Sequence, residues 1–141
     1  MNFINNIPYK LGSFFEENNI DLELRKEFNA TKLYSSYRYS EIHLFGKTFE
    51  SVCYLWFMDN KLVNIEYRFH KKHMQLFINS INEELPKNNP LDKDPFVKEY
   101  QYYVFQDGVA IHIINLDRNF FLLRVSNMPS LPRIKKQLNQ Q

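Results

Sequence analysis

Hydrophobic and polar positions along this chain alternate between a helical and an extended period. Near the start, Ser13 and Glu16 have the Ser-x-x-Glu spacing of a capping box, and Ile20, Leu24 and Phe28 follow at four-residue intervals. A helix is expected within residues 14–28. From Leu33 onward β-branched and aromatic residues come in short runs broken by Gly46 and Asp59-Asn60, which predicts strands at about 36–45, 49–57 and 61–69. In the third, Val63, Ile65, Tyr67 and Phe69 alternate with Asn64, Glu66 and Arg68, so one face is expected to be buried and the other wet. The second has Val52, Tyr54 and Trp56 on one side and Cys53, Leu55 and Phe57 on the other, the mark of a central strand with apolar faces.

After Phe69 the period becomes helical again. Met74, Phe77, Ile78, Ile81 and Leu85 form one stripe, predicting a helix over 71–85 packed on one face of the sheet. Pro86, Pro90 and Pro95 then impose an irregular connection. Further strands are expected at 100–106, 109–114 and 120–125, the first two joined at Asp107-Gly108, where glycine accepts the positive φ of a tight turn. Residues 132–138 read as a short helix with a basic face. The expected class is α+β: a mainly antiparallel sheet of about six strands in the order α-βββ-α-βββ-α.

Length and composition narrow the class. A chain of 141 residues is long enough to bury roughly two-thirds of its unfolded surface in one core, so residues 1–141 are expected to form a single domain. With 44% hydrophobic and 16% aromatic residues it carries far more apolar material than a disordered chain. The net charge of +2 divides almost evenly between the halves, and the densest basic groups, Lys71-Lys72 and Arg133-Ile134-Lys135-Lys136, each span one turn. That pattern is a solvated helix face rather than a phosphate footprint, so no direct nucleic-acid partner is expected. Cys53 is the lone cysteine and has no disulfide partner within the chain. With no basic n-region or long apolar run at the N-terminus and no run of 18 apolar residues, the expected compartment is the reducing cytoplasm, with no membrane partner.

Candidate chemistry is sparse. His70 and His73 sit three apart, but Glu83 and Glu84 lie too far along the helix to complete a site with them, so no metal is expected. Glu41, His43, His112 and Arg124 could be assembled by the fold into an acid–base group of the kind small nucleases use, yet no spacing selects them. Phosphate loop, nucleophile elbow and calcium loop are all missing from the sequence, and three glycines leave little room for backbone cradling. No cofactor and no enzymatic activity are expected. What stands out is tyrosine. Tyr34, Tyr37, Arg38, Tyr39, Tyr100, Tyr102 and Tyr103, with Glu41, gather at strand starts, and stiff amphipathic rings beside arginine are the composition of interface hot spots. These eight residues are the expected partner-binding set.

The stretch Gly46-x-x-Phe49-x-x-Val52-x-Tyr54-x-x-Phe57-x-Asp59-x-Lys61-Leu62-x-x-Ile65 resembles a hairpin of many small bacterial α+β proteins. Among these the chain most resembles the toxin-neutralising immunity proteins of contact-dependent inhibition and polymorphic toxin systems. The resemblance implies a non-catalytic cytoplasmic protein that occludes the active site of a cognate toxin domain, a nuclease being the expected kind. It assigns no individual contact residues. The element order is also similar to that of type III secretion chaperones, α-βββ-α-ββ-α, although those are acidic dimers and this chain is slightly basic with one strand too many. A small nuclease is the third reading.

Overall fold

Asp59 and Asn60 both adopt left-handed backbone angles, φ 52° and 65°, and that pair of angles closes a tight hairpin whose twist matches its strands. It joins β5 (Val52–Met58) to β6 (Lys61–His70), the longest strand. The computed structural model describes residues 2–18, 21–36, 40–87, 90–93, 100–105 and 107–127. Within them ten strands form. Besides β5 and β6 these are β1 (Leu22–Phe28), β2 (Thr31–Ser36), β3 (Glu41–Leu44), β4 (Lys47–Glu50), β7 (Asp92–Lys93), β8 (Tyr100–Val104), β9 (Val109–Asn115) and β10 (Phe120–Asn127). Eight make one antiparallel sheet in the order β1-β2-β5-β6-β10-β9-β8-β7, while β3 and β4 pair as a separate hairpin. The α+β class and the antiparallel sheet are as the sequence predicts; the balance is not, because the described residues are mostly strand.

The expected helix at 14–28 is absent. Phe15–Glu17 make only a 3-10 turn, with the Phe14 N–H donating to Glu17 Oε1 at 3.3 Å, and Leu22–Phe28 is β1. The reason is tertiary pairing. Asn29, at φ 55°, turns the chain so that β1 lies along β2, and this tertiary pairing overrides the weak Ile20/Leu24/Phe28 stripe, which would have left a helix to local propensity alone. This edge strand carries exposed Glu23, Arg25, Lys26 and Glu27, and its register slips at Arg25. The strand expected at 36–45 contains β3 and meets β2 at Ser36 alone, β2 lying ahead of the expected start, and that at 49–57 breaks at Ser51 into β4 and β5. A short helix at the N-terminus, α1 (Asn2–Asn5), was not foreseen; its Phe3, with Ile7 and Tyr9 after it, is buried in the core. The helix expected at 132–138 lies outside the described residues.

The long helix appears where the stripe places it. A 3-10 turn at Lys71–His73 runs into α2 (Met74–Glu84), a 14-residue helix in all, and the His70 Nδ1 accepts the Lys72 N–H at 3.1 Å to cap its start. Phe77 and Ile81 face the sheet. The Phe77 ring lies 4.6 Å from that of Phe69 on β6 and 5.1 Å from Phe121 on β10, and on its other sides meets Phe49 at 4.9 Å and Phe45 at 5.2 Å, both from the β3–β4 hairpin. So the helix and the hairpin share one aromatic core with one face of the sheet. Among the described residues no helix is long and apolar enough to cross a membrane.

Cys53 sits on that core side of β5, directly across from Tyr67, and is fully buried. Burial pushes its thiol from 9.0 up to about 12, with the Tyr67 hydrogen bond opposing and the Glu66 charge adding to the rise. The native thiol should therefore resist iodoacetamide at pH 8 and react once urea unfolds the chain. A folded pKa above the unfolded one means the neutral thiol favours folding. That contribution is complete below about pH 9 and is lost as pH rises toward 12. Urea titrations of Cys53→Ala should show a shallower alkaline loss of stability than the parent chain; alkylation of the folded protein at the denatured rate would contradict the burial.

Candidate functional site

Because successive strand residues point to opposite faces, the residues between those that meet Phe77 form a second face, turned away from α2. The predicted wet side of β6 lies here. It is not wet: Asn64 and Glu66 are buried, and Arg68 is half-buried. The register explains why polar residues collect there. Ser35, Tyr54, Glu66, Arg124, His112 and Tyr102 stand side by side on β2, β5, β6, β10, β9 and β8, making one row across the sheet. Glu66 Oε1 accepts from Arg124 Nε and from Asn64 Nδ2, both at 3.0 Å. Tyr102 lies nearly parallel to His112, ring centres 5.9 Å apart. Arg124 is 3% exposed, so this ion pair is desolvated and each charge depends on the other.

A single residue alters the alternation. Trp56 is opposite Asn64 and Phe57 opposite Leu62, leaving Val63 as the extra residue of a β-bulge. Val63 therefore joins Trp56, with Phe28, Leu33 and Met58 packed around them, in a small apolar cluster on the second face instead of pointing with Ile65. Beside it the Trp56 Nε1, Asn64 Oδ1, Ser126 Oγ and Arg124 Nη1 atoms are buried with no hydrogen-bond partner.

At its hairpin end this face opens into a cleft of about 490 Å³, lined by Ser40, Glu41, Glu50, Ser51, Val52, Arg68, His70 and Phe120. The fold brings these together in three ways. Glu41 and Glu50 are direct cross-strand partners on β3 and β4; Ser51 donates its N–H to the Ser40 carbonyl at 2.9 Å, closing the corner into β5; and Arg68 and His70 project from β6 beside Phe120 of β10. The Arg68 guanidinium carbon stands 4.8 Å over the Phe120 ring. Glu41, Glu50 and Arg68 form no ion pair with one another or with any described residue. Arg68 Nε and Ser51 Oγ are buried without a hydrogen-bond partner.

Of the expected contact residues, Glu41 lies in the cleft. Tyr34 does not lie on the surface: its ring stacks on Phe15 at 4.9 Å and meets Phe57 edge-on at 5.6 Å, inside the core. Tyr103 is half-buried on the core side beside Phe105, while Tyr102 faces the other way onto His112; Tyr100 pairs with Ile114 at the end of β8. Tyr37, Arg38 and Tyr39 lie outside the described residues. The acid–base group divides. His112 and Arg124 are neighbours in the row, whereas His43 is on the hairpin with its Nδ1 3.2 Å from Thr48 Oγ1. His70 and His73 have ring centres 6.5 Å apart; desolvation, then the charges of Lys72, His70 and Lys47, lowers the His73 pKa. Among the described residues no group of three or more His, Cys, Asp or Glu side chains could hold a metal ion.

Sequence reasoning missed Arg68, Glu50 and Phe120 as cleft residues. The period-two pattern did mark Arg68 and Glu66 as sharing a face, but not that the hairpin would rise beside Arg68. Comparison with protein-family models, curated proteins and solved structures finds no match to this chain.

Proposed function

We propose that this chain works by binding another protein, as an immunity protein that occludes a bacterial toxin domain, a nuclease in the simplest case. The supporting observation is the cleft, where charges of both signs stand unpaired around an aromatic floor. Surface charges that find no partner among the described residues are open to complementary charges, and an arginine on an aromatic ring is a common anchor of an interface core. The cleft would form the centre of an interface burying roughly 1,600 Å² in total. Glu41 and Glu50 suit the basic surface that a nuclease turns toward its substrate.

A nuclease reading draws on the adjacency of His112 and Arg124. Their burial and the engagement of Arg124 with Glu66 favour a structural role. The chaperone reading loses the element order it rested on, since a β-strand stands where its first helix belongs.

Co-expression tests the proposal. The chain should co-purify with a toxic C-terminal domain encoded beside its gene and restore growth to cells making it. Reversing both carboxylates, Glu41→Arg with Glu50→Arg, should weaken the complex at least about tenfold, by faster dissociation together with slower association, the latter most at low salt. Undiminished affinity in a folded double variant would remove the cleft from the interface. Failure of the parent chain to bind or protect would set the immunity reading aside.

A further inference from the structure

Arg68 is an unusual cation for a surface cleft. It is half-buried, its guanidinium lies over the Phe120 ring, its Nε is withdrawn from water, and it has no carboxylate partner among the described residues. Part of its hydration is gone and no anion among the described residues replaces it, which leaves a planar fork of donors facing the cleft. His70 adds another. Its Nδ1 accepts the Lys72 N–H, so in the neutral ring the proton sits on Nε2, and that nitrogen is a donor. The Ser51 hydroxyl, withdrawn from water and without a hydrogen-bond partner, lies behind the same floor.

The opposite lip has the reverse character. Glu41 and Glu50 are cross-strand partners, and like charges placed directly opposite each other weaken a hairpin. Neither has a cation among the described residues. A cation brought between them relieves the repulsion.

We propose that the cleft seats a carboxylate side chain of the partner protein, an Asp or Glu with a Lys or Arg beside it. Arg68 takes the carboxylate through its terminal Nη groups, His70 Nε2–H completes its hydrogen bonds, and the Glu41–Glu50 pair takes the neighbouring cation. This rests on the protein-binding reading and adds the local chemistry of the partner. A carboxylate fits better than a phosphate group, because two unpaired carboxylates on the facing lip oppose a dianion, and the cleft has one permanent cation to set against them.

The blocked dipeptide acetyl-Asp-Lys-amide carries both charges and serves as the probe. In amide and arginine-side-chain NMR spectra of the full chain it should shift the Arg68 Nε–H and the Ser51 and Val52 amides saturably. Acetyl-Asn-Lys-amide, which lacks the carboxylate, should bind about tenfold more weakly. The shifts should vanish in Arg68→Gln, and also in Glu41→Gln with Glu50→Gln, a pair of exposed substitutions that spares the floor of the cleft if Arg68→Gln proves unstable. Absence of saturable shifts, equal binding of the Asn peptide, or equal binding of inorganic phosphate would overturn the proposal. A chain that binds its toxin domain but not the dipeptide overturns this seat alone; one that binds neither overturns the protein-binding reading with it.

Discussion

Replacing Arg124 by methionine should lower the free energy of unfolding by about 3–5 kcal/mol, because it leaves Glu66 as an uncompensated carboxylate in the middle of the sheet. The size follows from burial. Both side chains are withdrawn from water, at 3% and 10% exposure, whereas the Lys32–Glu27 pair on the β1–β2 hairpin is 40% and 53% exposed at 3.7 Å and should matter by less than about 1 kcal/mol. Removing both charges, with Glu66→Leu added to Arg124→Met, should recover most of the loss, since the pair itself costs desolvation that an apolar pair does not. Urea titration with an unchanged slope separates the cases. A loss below about 1 kcal/mol for Arg124→Met would mean that water reaches Glu66, and the description of the row as desolvated would fail.

Phe77→Ala should cost a comparable amount, about 3–5 kcal/mol, by a different route: lost transfer energy plus an unfilled cavity. The ring touches four other rings drawn from β6, β10 and both ends of the β3–β4 hairpin, so no single neighbour can collapse into the space. The expected fall in Tm is about 10–15 °C. Phe77→Leu should lose much less. Ile78→Ala, one position round on the partly buried flank of α2, should also lose less than Phe77→Ala, and calorimetry that ranked these two the other way would misplace the face the helix turns to the sheet.

These residues show what was legible from the sequence. The α2 stripe has five apolar positions on one side and could bury them in only one way, so its span and its packing face were readable. Strand β6 was readable from its alternation, and β8, β9 and β10 from apolar and aromatic runs bounded by the prolines and by Asp107-Gly108. The N-terminal region was misread because Ser13-x-x-Glu16 is a local signal that the fold does not use: the Ser13 hydroxyl donates to the Lys10 carbonyl, Glu17 rather than Glu16 closes a single 3-10 turn, and pairing with β2 takes the residues from Leu22. The site was half visible. Alternation placed Glu66 and Arg68 together, but polar side chains were assigned to water when Glu66 in fact faces Arg124 from a strand 58 residues later. Nothing local to either residue encodes that meeting, and the Val63 bulge that fixes the rest of the register is equally silent in sequence. The cleft depends on where a separate hairpin comes to rest, which periodicity within one strand does not address. Tyrosine content pointed to strand edges, yet Tyr34 went to the core because its ring fits between Phe15 and Phe57.

The slipped register at Arg25 bears on how this chain behaves in a crowded cell. A sheet ending in a regular strand offers a template on which a second molecule can lay its own strand, and repetition of that step builds a fibre. At the β1 border the slip breaks the even spacing of backbone donors and acceptors, and four consecutive-range charges, Glu23, Arg25, Lys26 and Glu27, must be stripped of water before another strand can approach. The β1 border therefore disfavours pairing with the strand of a second molecule, which guards a sequence rich in aromatic strands against edge-to-edge growth on that side.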